Sequence, residues 1–400
     1  MKEYLRTKKM RIVNANGKII TLKGVNLGGW LMMEGYILHA PNFPEQQFKK
    51  NFEKKLGANK LASFEKSFRD NFFTEKDIKQ IAGHGFNCVR VPFNYQLVER
   101  SPYKYDQKQV QYLDNVINWC TKNKIYVILD LHAAPGSQNH DWHSDSLGQA
   151  KLWTNKANQN RTIAIWEFIA NRYKNEKYVA GYDLLNEAVI KSPKLLNELY
   201  KQLIKHIRNI DKNHILFIEG NNWATDLECL EIFDDDNYVL SLHSYHPIDF
   251  TFNLVPHLCY PSKVDQRQYN KKNLKEHLSQ YKRIAQKHSV PVFLGEFGVN
   301  VREGLFGEDK WLDDMLAICK ELGFSWTYWT YKAIKNSAFP DGVYSYYDNP
   351  PWVNRVGPVM GWDTYKNHWV KSKNYMIRSW QTENFQCNSS VLKVLKKYAK

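Results

Sequence analysis

Short apolar segments recur along the chain, and amphipathic segments separate most of them. Near-continuous runs of apolar and β-branched residues are typical of strands that are buried on both faces of a parallel sheet. Between the runs, apolar residues follow helical spacing, as in TEKDIKQIAGHG and QVQYLDNVINWCTKNK. The predicted strands are TLKGVNLGGW (21–30), FNCVRVPF (86–93), IYVILDLH (125–132), AGYDLLNE (180–187), HILFIEG (214–220), YVLSLHSY (238–245), PVFLGEFG (291–298) and FSWTYWTY (324–331).

Eight alternating strand–helix units predict an α/β fold, and a closed (β/α)8 TIM barrel fits them better than an open doubly wound sheet. No GxGxxG motif follows the first strand to support a dinucleotide fold. The segment RIVNANGKIIT predicts an N-terminal β-hairpin that turns at Asn16-Gly17 and would floor the barrel.

We expect a single domain over residues 1–400, because no linker rich in Pro, Gly or Ser interrupts the chain. The barrel core would occupy roughly residues 20–335, followed by an aromatic-rich C-terminal extension at 336–400. From Pro340 onward this extension is aromatic enough to frame the mouth of the barrel or to cover its side.

Two glutamates end predicted strands, Glu187 after the fourth and Glu296 after the seventh. Side chains at the carboxyl ends of the strands project into the mouth of such a barrel, where active sites lie. Either glutamate alone is more simply explained as a carboxylate that pairs with an arginine or caps a helix. Together, on opposite sides of the ring, they predict glycoside hydrolysis, with Glu187 beside Asn186 as acid/base and Glu296 as nucleophile.

Other strands end in further polar and aromatic side chains. An arginine near a carboxylate keeps it ionised, histidines and an amide suit sugar hydroxyl groups, and an indole suits the apolar face of a pyranose ring. One such residue would more often belong to the core, whereas several of them at strand ends predict a sugar site. The candidates are Arg90, His132, His243, Tyr245 and Trp329.

Metal binding is the alternative explanation for the histidines, because HDWH (140–143) and HSYH (243–246) each contain two of them. Neither pair has the i, i+4 spacing of ligands on a helix, and glycoside hydrolysis needs no metal. We therefore expect no metal and no cofactor.

The net charge of +15 would suit nucleic acid, anionic lipid or an acidic glycan. The basic residues are spread over helical patterns such as KEHLSQYKRIAQKH, so a solvated surface is the simpler interpretation, and we expect no nucleic-acid partner and a monomer. The six cysteines are scattered without a CxxC pair, and we expect most of them to be buried thiols.

The N-terminal segment MKEYLRTKKMRIVNANGK lacks the apolar stretch of a secretory signal. No later run approaches the ~20 apolar residues of a membrane span. We expect a protein that is either cytoplasmic or secreted with a signal that is missing from this sequence.

The ordered motifs GYDLLNEA, FLGEFG, NCVRVPF, LDLH and SLHSYHP resemble glycoside hydrolase family 5, a family of the retaining barrel clan. KGVNLGGWLMMEGYI and LHAAPGSQN resemble its exo-β-1,3-glucanase branch. The resemblance implies a retaining β-glycosidase acting by double displacement on a β-glucan of β-1,3 type, an oligosaccharide or a glucoside. It also implies that Asn186 bonds the sugar 2-hydroxyl, Arg90 and Tyr245 support Glu296, His132 and His243 line the sugar subsite, Trp329 stacks beneath the ring, and Glu34 holds far hydroxyls of the terminal glucose.

The segment HDWHSDSLGQAKLW departs from the fungal pattern of that branch, which leaves the linkage open. A β-glucosidase acting on a glycolipid of glucosylceramide type is one alternative, and only in that case would a membrane surface be a partner. An endo-β-1,4-glucanase is a second alternative. A noncatalytic carbohydrate-binding barrel is the third, and the intact Glu187 and Glu296 argue against it.

Overall fold

The computed structural model describes residues 4–38, 42–255, 257–264, 266–335, 337–346 and 362–400. Eight parallel strands close into a barrel in which each strand pairs with the next along the chain and the eighth pairs with the first. Each strand overlaps its predicted run, so the prediction of a (β/α)8 barrel is confirmed. The strands are β1 (Lys23–Asn26), β2 (Cys88–Asn94), β3 (Tyr126–Ala133), β4 (Val179–Asp183), β5 (Ile215–Glu219), β6 (Tyr238–His243), β7 (Val292–Glu296) and β8 (Ser325–Tyr328).

Amphipathic helices cover the outer faces of these strands. Between β5 and β6, a stretch that is described throughout, the only helix is the short Asn221–Ala224. The last barrel helix, Ser389–Ala399, packs against the helix Glu308–Leu322 and against β1, so the eighth helix falls within the predicted C-terminal extension. The barrel helices are Glu75–Gly83, Gln107–Lys122, Lys156–Tyr173, Pro193–Ile210, Lys271–His288, Glu308–Leu322 and Ser389–Ala399.

Shorter elements occupy the connections between strands and helices. The short helices are Tyr36–Leu38, Tyr95–Val98, Trp142–Ser144, Ile248–Thr251 and Thr382–Asn384. The short strands outside the barrel are Arg6–Lys8, Arg11–Val13, Glu99–Ser101, Lys104–Tyr105, Ser262–Val264, Arg267–Tyr269, Lys332–Ile334, Tyr344–Tyr346 and Gln386–Cys387.

The N-terminal segment closes the bottom of the barrel, as predicted. The backbone N–H of Asn14 donates to the carbonyl of Lys18 at 2.9 Å, and Gly17 takes the positive φ of 76° that the turn requires. Leu5 and Ile12 pack against buried residues of the barrel interior. The strand Arg6–Lys8, which pairs with Arg11–Val13, was not predicted.

A layer of three helices lies beside the barrel. Glu45–Leu56 and Ala58–Phe72 precede the first barrel helix, and Trp362–Trp380 from the extension packs against both of them. Phe64 is fully buried among aromatic rings of all three helices. The rings in contact with it are Phe48, Phe52, Phe68, Tyr365, Trp369 and Trp380.

Different parts of the predicted C-terminal extension lie at different places on the barrel. Phe339 and Pro340 line the mouth of the barrel, whereas the helix Trp362–Trp380 covers the side. Lys332, which is buried just after β8, donates to the carbonyl oxygens of Phe72 and Trp380 and so connects the end of β8 with the helices Ala58–Phe72 and Trp362–Trp380. Residues 347–361, which include much of the aromatic tail, lie outside the described residues.

No helix in the described part of the chain is both long and apolar enough to cross a membrane. All six cysteines are free, but only half of them are buried: Cys88, Cys120 and Cys319 are buried, Cys229 is half-buried, and Cys259 and Cys387 are exposed.

Candidate active site

A cleft of about 630 Å³ opens at the carboxyl ends of the barrel strands. Seven of the nine sequence-predicted site residues line this cleft, and they are Glu34, His132, Glu187, His243, Tyr245, Glu296 and Trp329. The other two, Arg90 and Asn186, are fully buried directly behind its wall. The structure therefore brings all nine together.

Glu296, the last residue of β7, is anchored at both carboxylate oxygens. Oε1 accepts a hydrogen bond from Nη1 of Arg90 at 2.7 Å, and Oε2 accepts one from the hydroxyl of Tyr245 at 2.8 Å. Nη2 of the same arginine donates to Oδ1 of Asn186 at 2.8 Å. Among the described residues, Nδ2 of Asn186 has no hydrogen-bond partner. Glu296 is thus fixed beside a buried positive charge, next to an amide that can still donate.

Three more buried carboxylates surround Arg90 inside the barrel. Asp130, Asp183 and Glu219 lie 3.1, 2.8 and 3.0 Å from its guanidinium nitrogens. Burial raises the pKa of Asp130 well above its usual range and that of Asp183 to about 7, although Arg90 opposes both shifts. Their oxygens are close enough to hold a cation, but the guanidinium already supplies the positive charge among them.

Glu187 lies four residues beyond β4, in the left-handed region with φ 47°. Its backbone N–H donates to Oε2 of Glu219 at 2.6 Å, and its carbonyl accepts from Nδ2 of Asn139 at 2.8 Å. On the side chain, Oε1 lies 2.8 Å from Nδ1 of His243 and Oε2 lies 2.9 Å from Nε2 of His143. This backbone conformation is strained for a residue other than glycine, and the surrounding bonds hold it so that the carboxylate sits between two imidazoles.

The two imidazoles determine the charge of Glu187. Burial alone would raise the pKa of Glu187, but hydrogen bonds from His143 and His243 outweigh burial and hold it well below the usual range. Burial likewise opposes the charged form of both histidines, yet the pKa of each is raised, by Glu187 at His143 and by Glu219, Glu296 and Glu187 at His243. These shifts favour a carboxylate at Glu187 and protons on the imidazoles.

The two carboxylates face each other at short range. One oxygen of Glu187 lies within 4.8 Å of one oxygen of Glu296, and a ring nitrogen of His243 is within the same distance of both. Carboxyl groups of inverting glycosidases stand ~6.5–9.5 Å apart to leave room for a water molecule, whereas those of retaining enzymes stand ~5–5.5 Å apart. The short distance between their oxygens favours the retaining arrangement.

One wall of the cleft presents uncharged polar groups. The ring of His132 stacks on Trp329 with centroids 5.5 Å apart, and its Nδ1 lies 2.7 Å from Oδ2 of Asp130. Burial lowers the pKa of His132 to about 3, so the imidazole is neutral. Burial and the charge of Glu296 raise the pKa of Glu34 well above its usual range. Both side chains can therefore exchange hydrogen bonds with hydroxyl groups without presenting a full charge.

Three aromatic rings extend this wall beyond Trp329. Tyr36 stacks on Phe339 with centroids 5.0 Å apart and meets Trp142 edge-on at 6.0 Å. The hydroxyl of Tyr36 also accepts a hydrogen bond from Nε1 of Trp329. An aromatic wall thus bounds the cleft on the side of β1 and β8.

The rim of the cleft after β5 carries a more exposed indole. Trp223, just after β5, is 40% exposed, and its Nε1 donates to Oδ2 of Asp141 at 2.8 Å. His140 meets this indole edge-on, whereas His143 contacts Glu187. In the motif HSYH (243–246), His243 also contacts Glu187, while His246 stacks on His277. The members of each pair thus face different neighbours.

Several site residues were not predicted. Glu219 ends β5 just as Glu296 ends β7, so the strand-end pattern could have indicated it. His143 lies in a loop whose path the sequence does not reveal, although its segment, HDWH, was considered as a metal site. Tyr36, Trp142 and Phe339 have no comparable signal, because three separate loops bring them together.

Residues 47–335 match the family model described as cellulase, glycosyl hydrolase family 5. The chain belongs to this family. The predicted family is thereby confirmed, and so is the predicted enzyme class: the protein is a glycoside hydrolase, a retaining β-glycosidase.

Individual relatives of this family 5 protein carry different activity names. It is 33% identical over 346 residues to a β-xylosidase of Phanerodontia chrysosporium, covering 83% of this chain and 71% of that protein. It is 28% identical to endoglucanase C of Acetivibrio thermocellus, covering 77% and 90%. It is 31% identical to probable glucan 1,3-beta-glucosidase A of Aspergillus clavatus, covering 60% and 58%.

Proposed function

We propose that this protein removes terminal glucosyl units from β-glucan chains or oligosaccharides, with Glu296 as nucleophile and Glu187 as acid/base. The observation that carries the proposal is the pair of carboxylates with oxygens within 4.8 Å, one held by an arginine and a tyrosine and the other held by two imidazoles. These different surroundings suit different roles in one double displacement.

In the first step, a carboxylate oxygen of Glu296 attacks the anomeric carbon from the α-face. The bond from that carbon to the glycosidic oxygen breaks, and the oxygen takes a proton from Glu187. In the second step Glu187 removes a proton from water, the water oxygen attacks the same carbon, and Glu296 leaves as a carboxylate. Two inversions give a product with the original β-configuration. Arg90 and Tyr245 keep Glu296 oriented, and Nδ2 of Asn186 is free to bond the 2-hydroxyl.

The wall formed by Glu34, His132 and Trp329 would bind the glucosyl unit before the cleaved bond. A protonated Glu34 and a neutral His132 match hydroxyl groups, and the Trp329 ring matches the apolar face of the sugar. The aromatic wall of Tyr36, Trp142 and Phe339 would close this side of the cleft to a further unit. This favours action at a chain end over cleavage within the chain.

The leaving part of the substrate would occupy the side of the cleft opposite this wall. The exposed indole of Trp223, oriented by Asp141, offers a surface for the next sugar ring there. This position follows from the placement of Trp223 after β5, across the ring from β1.

A glucan substrate is supported by the names of two relatives, an endoglucanase and a probable glucan 1,3-beta-glucosidase. We favour the β-1,3 type because of the branch resemblance in the motifs near Glu34 and His132. An endo-β-1,4-glucanase and a β-glucosidase acting on a glycolipid are the alternatives, and a noncatalytic binding barrel is the least supported. We also propose a monomeric protein with a single domain over residues 1–400 and without a nucleic-acid partner.

Product chromatography on a substrate panel tests this proposal. Laminarin, laminaritriose, cellotriose, an aryl β-glucoside and glucosylceramide are incubated with the enzyme, and products are followed from the earliest times. We expect glucose as the first product of laminaritriose and of laminarin, released with β-configuration. Early oligosaccharides from laminarin would instead indicate cleavage within the chain. Faster turnover of glucosylceramide or of cellotriose would select one of the alternatives.

A further inference from the structure

Glu219 lies at the centre of the network that connects the two proposed catalytic glutamates. It ends β5, it is fully buried, and it does not line the cleft. Oε2 accepts the backbone N–H of Glu187 at 2.6 Å, and Oε1 lies 3.0 Å from Nη2 of Arg90. Oε1 also lies 3.2 Å from Nε2 of His243. One carboxylate thus contacts the backbone of Glu187, the imidazole that holds its side chain and the arginine that holds Glu296.

His243 is placed between two carboxylates. Its Nδ1 lies 2.8 Å from Oε1 of Glu187, while its Nε2 lies 3.2 Å from Oε1 of Glu219. A neutral imidazole carries one N–H and could donate to only one of them, so the other nitrogen lone pair would face a carboxylate. An imidazolium carries an N–H on each nitrogen, so its Nδ1 can donate to Glu187 while its positive charge lies at ion-pair distance from Glu219, although Nε2 forms no hydrogen bond among the described residues. The geometry therefore suits a histidine that keeps its proton.

We propose that Glu219 is a positioning residue that keeps the shared proton on His243 and thereby sets the upper pH limit for acid catalysis by Glu187. This inference rests on the acid/base role proposed above. The resting pair is a Glu187 carboxylate and a His243 imidazolium. For acid catalysis the proton moves from Nδ1 of His243 to the carboxyl group of Glu187, which gives one proton to the glycosidic oxygen. His243 is then neutral, and the water that enters in the second step returns the proton through Glu187.

Other charged groups face the same pair and contribute to its titration. Glu296 lies 3.6 Å from Nδ1 of His243, and His143 lies on the far side of Glu187. The positive charge of Arg90, which lies behind the pair, disfavours its protonation, whereas the negative charges of Asp130 and Asp183 favour it. Among the contacting groups of the described residues, Glu219 alone contacts His243 and the backbone of Glu187. The groups that face the pair are Glu34, Tyr36, Arg90, Asp130, His132, His143, Asp183, Glu219, Tyr245 and Glu296.

The main experiment is the pH profile of kcat/KM for Glu219→Gln, which removes the charge and keeps the size of the side chain. An opposite charge at this distance shifts a titration by roughly 1–3 pH units. We expect the upper limb of the profile to move by about that much toward lower pH, because the variant loses the shared proton more readily. A folded variant whose upper limb coincides with that of the wild type would overturn the proposal.

Two further variants separate the charge from its structural role. Glu219→Asp keeps the charge and should return the upper limb toward the wild-type position. Asp183→Asn is the matched control, because Asp183 is equally buried and binds the same arginine without a hydrogen bond to His243 or Glu187. Its upper limb should move less than that of Glu219→Gln. Equal shifts in both variants would mean that Glu219 acts only by supporting Arg90.

The leaving group distinguishes this proposal from the proposed function itself. A dinitrophenyl glucoside needs no acid for departure, so Glu219→Gln should slow its first step far less than that of an oligosaccharide. An equal loss on both substrates would reduce Glu219 to a structural residue. If Glu187→Gln itself showed no dependence on the leaving group, the acid role of Glu187 would fail as well. If Glu187→Gln shows the expected dependence on the leaving group but the upper limb of the Glu219→Gln pH profile does not move, the proposal for Glu219 is rejected and the acid role of Glu187 stands.

Nitrogen NMR of the wild-type protein with labelled histidine tests the same proposal without a buried substitution. The His243 signals can be assigned by their loss in His243→Gln. We expect both ring nitrogens of His243 to carry a proton at pH 7. A single N–H at that pH would overturn the proposal even if Glu219→Gln failed to fold.

Discussion

Replacement of Glu296 by glycine is expected to lower kcat by a factor on the order of 10⁵ or more, because the double displacement loses its nucleophile. The substitution leaves a cavity on the α-face of the bound sugar, beside Arg90 and Tyr245. Azide can enter this cavity and attack the anomeric carbon of an activated β-glucoside directly. We expect azide to restore turnover and to give an α-glycosyl azide, identified by proton NMR.

Tyr245→Phe is the matched control for this variant. It removes one hydrogen bond to Glu296 but leaves the nucleophile in place, so its loss of activity should be smaller and azide should not restore it. A β-glycosyl azide from Glu296→Gly would mean that the roles of the two glutamates are exchanged. No rescue in a folded protein would count against a nucleophilic role for Glu296.

Replacement of Glu187 by alanine is expected to have the second largest effect, and one that depends on the substrate. General acid catalysis typically contributes a factor of ~10²–10⁴, which should be lost on oligosaccharides with a poor leaving group. With a dinitrophenyl glucoside the first step proceeds without an acid, and the glycosyl-enzyme accumulates because no base activates water. Azide then attacks this intermediate from the face opposite Glu296, and the expected product is a β-glycosyl azide.

His143→Gln provides the control, because it removes the imidazole at Oε2 of Glu187 and leaves the carboxyl group itself. This variant should not accumulate the intermediate or form the azide product. An α-azide from Glu187→Ala would contradict the assignment, as would an equal loss of activity on both kinds of substrate.

The barrel could be predicted because its strands are buried on both faces and therefore appear as apolar runs in the sequence. The helices Glu45–Leu56 and Ala58–Phe72 were not predicted, although Phe48, Phe52, Phe64 and Phe68 have the i, i+4 spacing of a helix face. The rings that they pack against, such as Trp369 and Trp380, lie about 300 residues away, so no local pattern connects them. For the same reason the eighth barrel helix was assigned to the extension.

The candidate site was predictable where a strand end places a side chain. Glu296, Arg90 and His243 lie within β7, β2 and β6, so the register of the strands determines which way they point. Glu187 was found by the same rule although it lies beyond β4, because hydrogen bonds of Leu184 and Asn186 to neighbouring strands continue the path.

Residues contributed by loops could not be placed in this way. His143 reaches Glu187 only because the loop after β3 folds back over the cleft. The contacts of Glu187 with His143 and His243, on which the proposed shared proton depends, appear only in the three-dimensional arrangement.

The central claim is that Glu296 forms a covalent bond to the sugar, and trapping that bond is its most direct test. A 2-deoxy-2-fluoro-β-glucoside with a dinitrophenyl leaving group slows both steps but departs without an acid, so the glycosyl-enzyme accumulates. The labelled protein is digested and its peptides are sequenced by mass spectrometry. We predict one added fluoroglucosyl group, attached to Glu296 in the segment PVFLGEFG. A label on Glu187, or an active enzyme that is neither labelled nor inactivated, would contradict the account.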